Sequence, residues 1–163
     1  KVYTLRRPQA DERELNIATQ IILDSKKPVL ISGGGVHYSL ATKELDKFVS
    51  ALQIPVGETQ SGKGALPWEH PMNVGSVGVT GGSACNKLLK EADLIIAVGT
   101  RLGDFITGSR TLFNPEILRH PKPTIVVCPE PVARPLCQRL PKLHRDELQQ
   151  TGHLNFVRHR SSK

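Results

Sequence analysis

The chain has 163 residues, 22 Lys/Arg against 15 Asp/Glu, a net charge of +7 and 38% hydrophobic residues. That is the size of one domain with a sizeable core, and no apolar run approaches the roughly 18 residues that would span a bilayer. Cys85, Cys128 and Cys137 show no C-x-x-C spacing, which argues against a zinc site or a disulfide framework and predicts free thiols in a reducing, cytoplasmic setting.

Residues 1–8 have no apolar signal region and read as an entry linker, as in a piece of a longer protein. Asp11 can cap a helix that carries Leu15, Ala18, Ile21 and Ile22 at helical spacing, with Lys26-Lys27 expected in its last turn. Pro28-Val29-Leu30-Ile31-Ser32 reads as a buried strand, and Gly33-Gly34-Gly35 predicts a sharp turn. A second helix is expected to align Ala41, Leu45, Phe48, Val49 and Leu52 on one stripe, followed by a strand at Ile54-Pro55-Val56.

The stretch from Thr59 to Gly82 predicts one long loop, and long ordered loops are usually functional. Gly82-Ser83 can start a helix bearing Ala84, Leu88 and Leu89; Asp93–Val98 is the clearest buried strand and Thr124–Val127 a weaker one. Strands alternating with helices predict an α/β fold with a parallel sheet covered on both faces, over residues 1–127.

Seven of the 12 prolines fall between 114 and 141, and residues 114–163 hold 9 Lys/Arg against 4 Asp/Glu. Residues 128–163 therefore read as a Pro-rich, basic C-terminal tail, with a short helix expected at Arg134–Leu140 and a loose end over 141–163. Without interleaved aromatics or a nucleic-acid motif, that charge predicts a solvated tail rather than a nucleic-acid surface.

Gly57, Gly62 and Lys63 match the spacing of a phosphate-binding loop. Gly64 stands where the magnesium-binding hydroxyl belongs, and Pro67 where the following helix should run, so an ATPase or GTPase reading is rejected. Ligands of open parallel sheets sit beyond the carboxyl ends of the strands. There the sequence places Gly33–Gly35, Gly57–Gly64, Gly78–Gly82 and Gly99-Thr100-Arg101, which fits a nucleotide cleft with Arg101 on a phosphate and Asp104 orienting it or accepting from a ribose.

The same glycines can serve tight turns alone, and Tyr38 stands where a dinucleotide motif has its third glycine. Glu58 lies about where a ribose-binding acid would, but reads equally as an exposed glutamate. His70 is expected to satisfy a turn carbonyl, His37-Tyr38 to pack the loop, and Trp68 to anchor the loop against the domain or a neighbour. No nucleophile–base pair, H-E-x-x-H or EF-hand pattern can be assembled, so no catalytic residue and no metal ligand is assigned.

Pro28–Val36, Pro55-Val56 with Glu58-Thr59, Gly62-Lys63-Gly64, His70-Pro71, Ala92-Asp93 and Val98-Gly99-Thr100-Arg101 with Asp104 together resemble the central domain of thiamine-diphosphate-dependent enzymes. Gln60, Gly78-Val79-Thr80-Gly81 and Asp104–Phe113 resemble the branch of that family that opens a cyclic dione hydrolytically in inositol catabolism. The resemblance covers residues 1–113.

It implies a Rossmann-like doubly wound sheet, here the middle of three domains in a homo-oligomer. Its partners would be the N- and C-terminal domains of the same enzyme, which hold thiamine diphosphate and magnesium. The central domain binds FAD in some relatives such as acetohydroxyacid synthase, ADP in others and nothing in many. The matching cofactor-binding positions are Gly33, Gly34, Gly35, Thr59, Gln60, Gly78, Val79, Gly99, Thr100, Arg101 and Asp104. A stand-alone FAD-, ADP- or NAD-binding module is the alternative. The chain departs from the family pattern at Cys128-Pro129-Glu130, where an acidic or polar turn would follow the last strand.

Overall fold

The computed structural model describes residues 11–115, 117 and 125–128. The expected N-terminal linker, the helix at 134–140 and the loose end at 141–163 lie outside these residues. Asp11 caps α1 (Glu12–Asp24), its Oδ1 accepting from the amides of Arg13 and Glu14 at 2.8 and 3.2 Å. The helix ends at Asp24, so Lys26 and Lys27 lie beyond its last turn. Their amides instead donate to the two carboxylate oxygens of Asp93 at 2.7 and 2.9 Å, tying the entry of β1 to the entry of β4.

Five strands form one parallel sheet in the order β3-β2-β1-β4-β5: β1 (Pro28–Ser32), β2 (Val56–Glu58), β3 (Asn73–Ser76), β4 (Leu94–Val98) and β5 (Ile125–Cys128). Both central strands are buried from end to end apart from half-exposed Pro28, as all-apolar runs in a parallel sheet require. β3 is the strand that periodicity did not announce. Its pattern of half-buried and exposed residues at the sheet edge gives no apolar run to read.

Helices cover both faces. Leu15 and Ile22 of α1, Val36 of α2 (Gly34–Tyr38) and Leu45, Phe48 and Val49 of α3 (Thr42–Leu52) pack with Leu30, Ile96 and Val98 on one face. Cys85 and Leu89 of α4 (Ser83–Glu91) pack with Val29, Ile31 and Ile95 on the other, joined by Ile106 of α5 (Asp104–Thr107). This is the doubly wound, Rossmann-like arrangement, with chain direction about the sheet reversing between β1 and β4.

One expectation is corrected here. The triple glycine does not turn the chain before a helix; Gly34 and Gly35 are already the first residues of α2. The predicted second helix stands as α3, and the short α2 ahead of it, separated from it by Leu40 at φ 55°, was not expected. No helix among the described residues is long and apolar enough to cross a membrane.

Candidate functional site at the carboxyl end of the sheet

The crevice between β1 and β4 is where a ligand of such a sheet binds. In this chain the start of α2 and the exit of β4 meet there in direct backbone contact. A Cβ on Gly33 would collide with the Gly99 carbonyl and with Thr100 Cβ, and one on Gly35 would lie 2.6 Å from Gly99 Cα. The contact is reciprocal, because a Cβ on Gly99 would lie 2.7 Å from Gly35 Cα. Two hydrogen bonds lock it, Gly33 N–H to Val98 O and Gly35 N–H to Gly99 O, both 2.9 Å. These glycines let the start of α2 lie directly on the β4 exit.

The loop after β2 is closed in the same way. Thr59 N–H donates to Ser32 O at 2.9 Å, Gly62 N–H to Thr59 O and to Thr59 Oγ1, and Ala65 N–H to Gly62 O. Gly62 lies against Ser32 O, where a side chain would collide. The Leu66 amide is taken by Oε1 of Glu58 at 3.1 Å. Glu58 is therefore 7% exposed rather than an exposed glutamate, and its carboxylate sits on an amide that a phosphate would need. The amides of Thr59, Gly62, Ala65 and Leu66 are thus spent inside the protein. Ser32 Oγ, at the end of β1, is buried without a hydrogen-bond partner among the described residues.

His70, Ser50 and Asp46 meet, which the sequence did not foretell. Nε2 of His70 lies 3.1 Å from both Asp46 Oδ1 and Ser50 Oγ, and Ser50 Oγ donates to Asp46 Oδ1 at 3.3 Å. A hydrolytic triad puts the acid on one ring nitrogen and the serine on the other. Here Nδ1 accepts the Met72 amide at 3.1 Å. The proton of the neutral ring is thereby assigned to Nε2, which donates to Asp46 and cannot deprotonate Ser50. The cluster fastens the 67–72 loop to α3. His70 accepts a backbone N–H rather than serving a turn carbonyl. His37 does pack the loop, with Nε2 3.3 and 3.2 Å from the carbonyls of Gly62 and Lys63.

Gly33, Gly34, Gly35, Thr59 and Gly78 are buried, Gly99 and Thr100 half-buried, and Gln60, Val79, Arg101 and Asp104 exposed. The structure brings Gly33, Gly35, Gly99 and Thr100 into contact. Thr100 Oγ1 donates to Arg101 O at 3.2 Å. Arg101 and Asp104 form no ion pair with each other among the described residues. Gly78 lies apart from the crevice, its N–H donating to Asn86 Oδ1 at 3.3 Å while Asn86 Nδ2 donates back to Gly78 O at 3.0 Å. Asn86, Asp93 and buried Glu58 are the positioning residues that sequence reasoning missed; their partners lie 8 or more residues away and leave no local signature.

Outside the crevice, a groove of about 880 Å³ runs past Glu58, Gln60, Lys63, Trp68, Ser76 and Phe105. A neighbouring one of about 530 Å³ shares Glu58, Lys63, Trp68 and Asn73 with it. A third, about 570 Å³, is lined by Lys26, Lys27, Pro28 and Pro55, at the amino end of β1. Cys85 is buried, and burial pushes its thiol up to about 11. No group of three or more His, Cys, Asp or Glu among the described residues could hold a metal ion.

A five-stranded parallel sheet with helices on both faces, its β1 and β4 exits in direct glycine contact, defines the class of Rossmann-like α/β domains. The family model for the thiamine pyrophosphate enzyme central domain matches residues 15–131, and the chain belongs to that family. It is similar to 3D-(3,5/4)-trihydroxycyclohexane-1,2-dione hydrolase of Clostridium perfringens, with 48% identity over 118 residues. That match covers 72% of this chain and 18% of the relative. The hydrolase of Clostridium botulinum matches equally, at 48% over 118 residues and the same shares. The hydrolase of Bacillus thuringiensis is 47% identical over 116 residues, 71% of this chain and 18% of the relative. The chain thus spans about a fifth of the length of the curated relatives it matches.

Proposed function

We propose that this chain is the architectural central domain of a thiamine-diphosphate-dependent hydrolase. In this reading the whole protein opens the ring of 3D-(3,5/4)-trihydroxycyclohexane-1,2-dione, cleaving a carbon–carbon bond as a step in inositol catabolism. One observation carries the reading: 48% identity to hydrolases of that name over 118 residues. Thiamine diphosphate, when bound, supplies a nucleophilic carbon for attack on a dione carbonyl. It and magnesium would be held by the N- and C-terminal domains of the same enzyme, in a cytoplasmic homo-oligomer.

This chain contributes shape. The glycine contacts fix the ends of β1, β2 and β4, and the Asp46–Ser50–His70 cluster fixes the loop beside them. Residues 1–127 form the domain, and 128–163 a basic tail. The test is an assay of the whole protein with the dione, thiamine diphosphate and magnesium, alongside the 163-residue chain. Ring opening by the whole protein and none by the chain alone is expected; turnover by the chain alone would overturn the architectural reading, and an inactive whole protein the substrate.

A nucleotide-binding role for the strand-end positions is a second reading, supported by the exposed polar side chains of Gln60, Arg101 and Asp104. Calorimetric titration with FAD and ADP tests it. Saturable binding that weakens in Arg101→Ala would support that role, and silence with both nucleotides would leave the domain purely architectural.

A further inference from the structure

Among the described residues six large apolar side chains stand exposed, and three of them belong together: Trp68 at 82%, Val79 at 62% and Phe105 at 53%. Trp68 and Phe105 line the 880 Å³ groove. The Val79 amide donates to the Phe105 carbonyl at 3.0 Å. Single exposed apolar residues need no explanation, but a cluster of aromatic ones marks a contact surface.

The frame under them is fixed. Gly78 rests on α5 so closely that a Cβ would lie 2.7 Å from Phe105 O, and Asn86 clasps Gly78 from both sides. The Trp68 loop is held by Asn73 Nδ2 donating to Pro67 O at 3.3 Å and by Asn73 N–H donating to His70 O at 2.9 Å. Aromatic side chains held out on a rigid frame lose little freedom on association and make strong interface anchors.

We propose that the face formed by Trp68, Val79 and Phe105 is the seat of another domain of the same polypeptide. This rests on reading the chain as a central domain. About four-fifths of each curated relative lies outside the matched segment, and that length supplies the occupant. Lys63 is the exposed charge lining the groove, whereas the Glu58 carboxylate is buried and engaged with Leu66. The complement is therefore an apolar surface with a carboxylate opposite Lys63.

Hydroxyl-radical footprinting of the whole protein and of the 163-residue chain decides it. The chain carries its own core on both faces of the sheet, so it can be examined alone. Trp68 is expected to oxidise at the rate of an open tryptophan in the chain and at least fivefold more slowly in the whole protein. Equal oxidation in the two overturns the proposal, whether or not the whole protein opens the dione. Protection in the chain alone that grows with its concentration would assign the face to a second copy and overturn it as well.

Trp68→Ser and Lys63→Glu provide an independent reading. Both should leave the chain's unfolding midpoint unchanged. In the whole protein both should speed limited proteolysis between domains several-fold, and an unchanged proteolysis rate in Trp68→Ser overturns the proposal.

Discussion

The Glu58 carboxylate accepts the Leu66 amide at 3.1 Å in a setting only 7% exposed, so removing it leaves a buried N–H without a partner. Glu58→Ala is expected to destabilise the chain by about 1–3 kcal/mol, and Glu58→Gln, which keeps an acceptor, by less. The midpoint of urea unfolding measures both. Cys85 gives a pH-dependent counterpart. Its thiol ionises near 9.0 when exposed and is pushed up to about 11 by burial. The folded state therefore holds this proton more tightly, so the contribution to stability is complete below pH 9 and is lost as pH rises through 11. On the order of 3 kcal/mol is involved. Between pH 9 and 11 the native chain should lose more thermal stability than Cys85→Ala does.

At the scale of the elements, the contact between the start of α2 and the exit of β4 has the least room. Gly35→Ala places a methyl 2.6 Å from Gly99 Cα. Overpacking against backbone that cannot yield is expected to destabilise by roughly 1–3 kcal/mol or more. Gly64→Ala is the control: nothing lies within 4 Å of its Cβ and only its φ of +82° opposes the change. That should amount to about 1 kcal/mol. Equal losses in the two variants, measured by thermal unfolding, would refute the close contact.

This contact also explains what the sequence could and could not disclose. Apolar runs announced β1 and β4, and helical spacing announced α1, α3 and α4, because burial on a face leaves a periodic trace. That Gly33, Gly35 and Gly99 touch one another, or that Asn86 holds Gly78, is a fact of tertiary proximity. A glycine needed for a ligand and a glycine needed for a neighbouring backbone are the same letter. β3 escaped notice because an edge strand with exposed Gly75 and Ser76 has no hydrophobic pattern.

For the molecule as a whole, the two sides of the sheet carry separate clusters of buried residues that share the same strands. They should melt together. Phe48→Ala on one face and Leu89→Ala on the other are each expected to cost about 2–5 kcal/mol. A single cooperative transition should shift in both, and two separated transitions in calorimetry would contradict a shared core. The doubly wound arrangement was legible from the order of strands and helices along the chain, but the pairing of β1 with β4 rather than with a sequence neighbour on that side was not.

That pairing has a consequence for biosynthesis. Pro28 of β1 lies opposite Leu94 of β4, so 94 − 28 = 66 residues must be made after the first partner before the second exists. At roughly 5–20 residues per second, the ribosome leaves one edge of the most apolar part of the sheet bare for about 3–13 s. A strand edge is a template for mispairing during that interval. Synthesis must therefore outrun mispairing at that edge until β4 emerges and closes it.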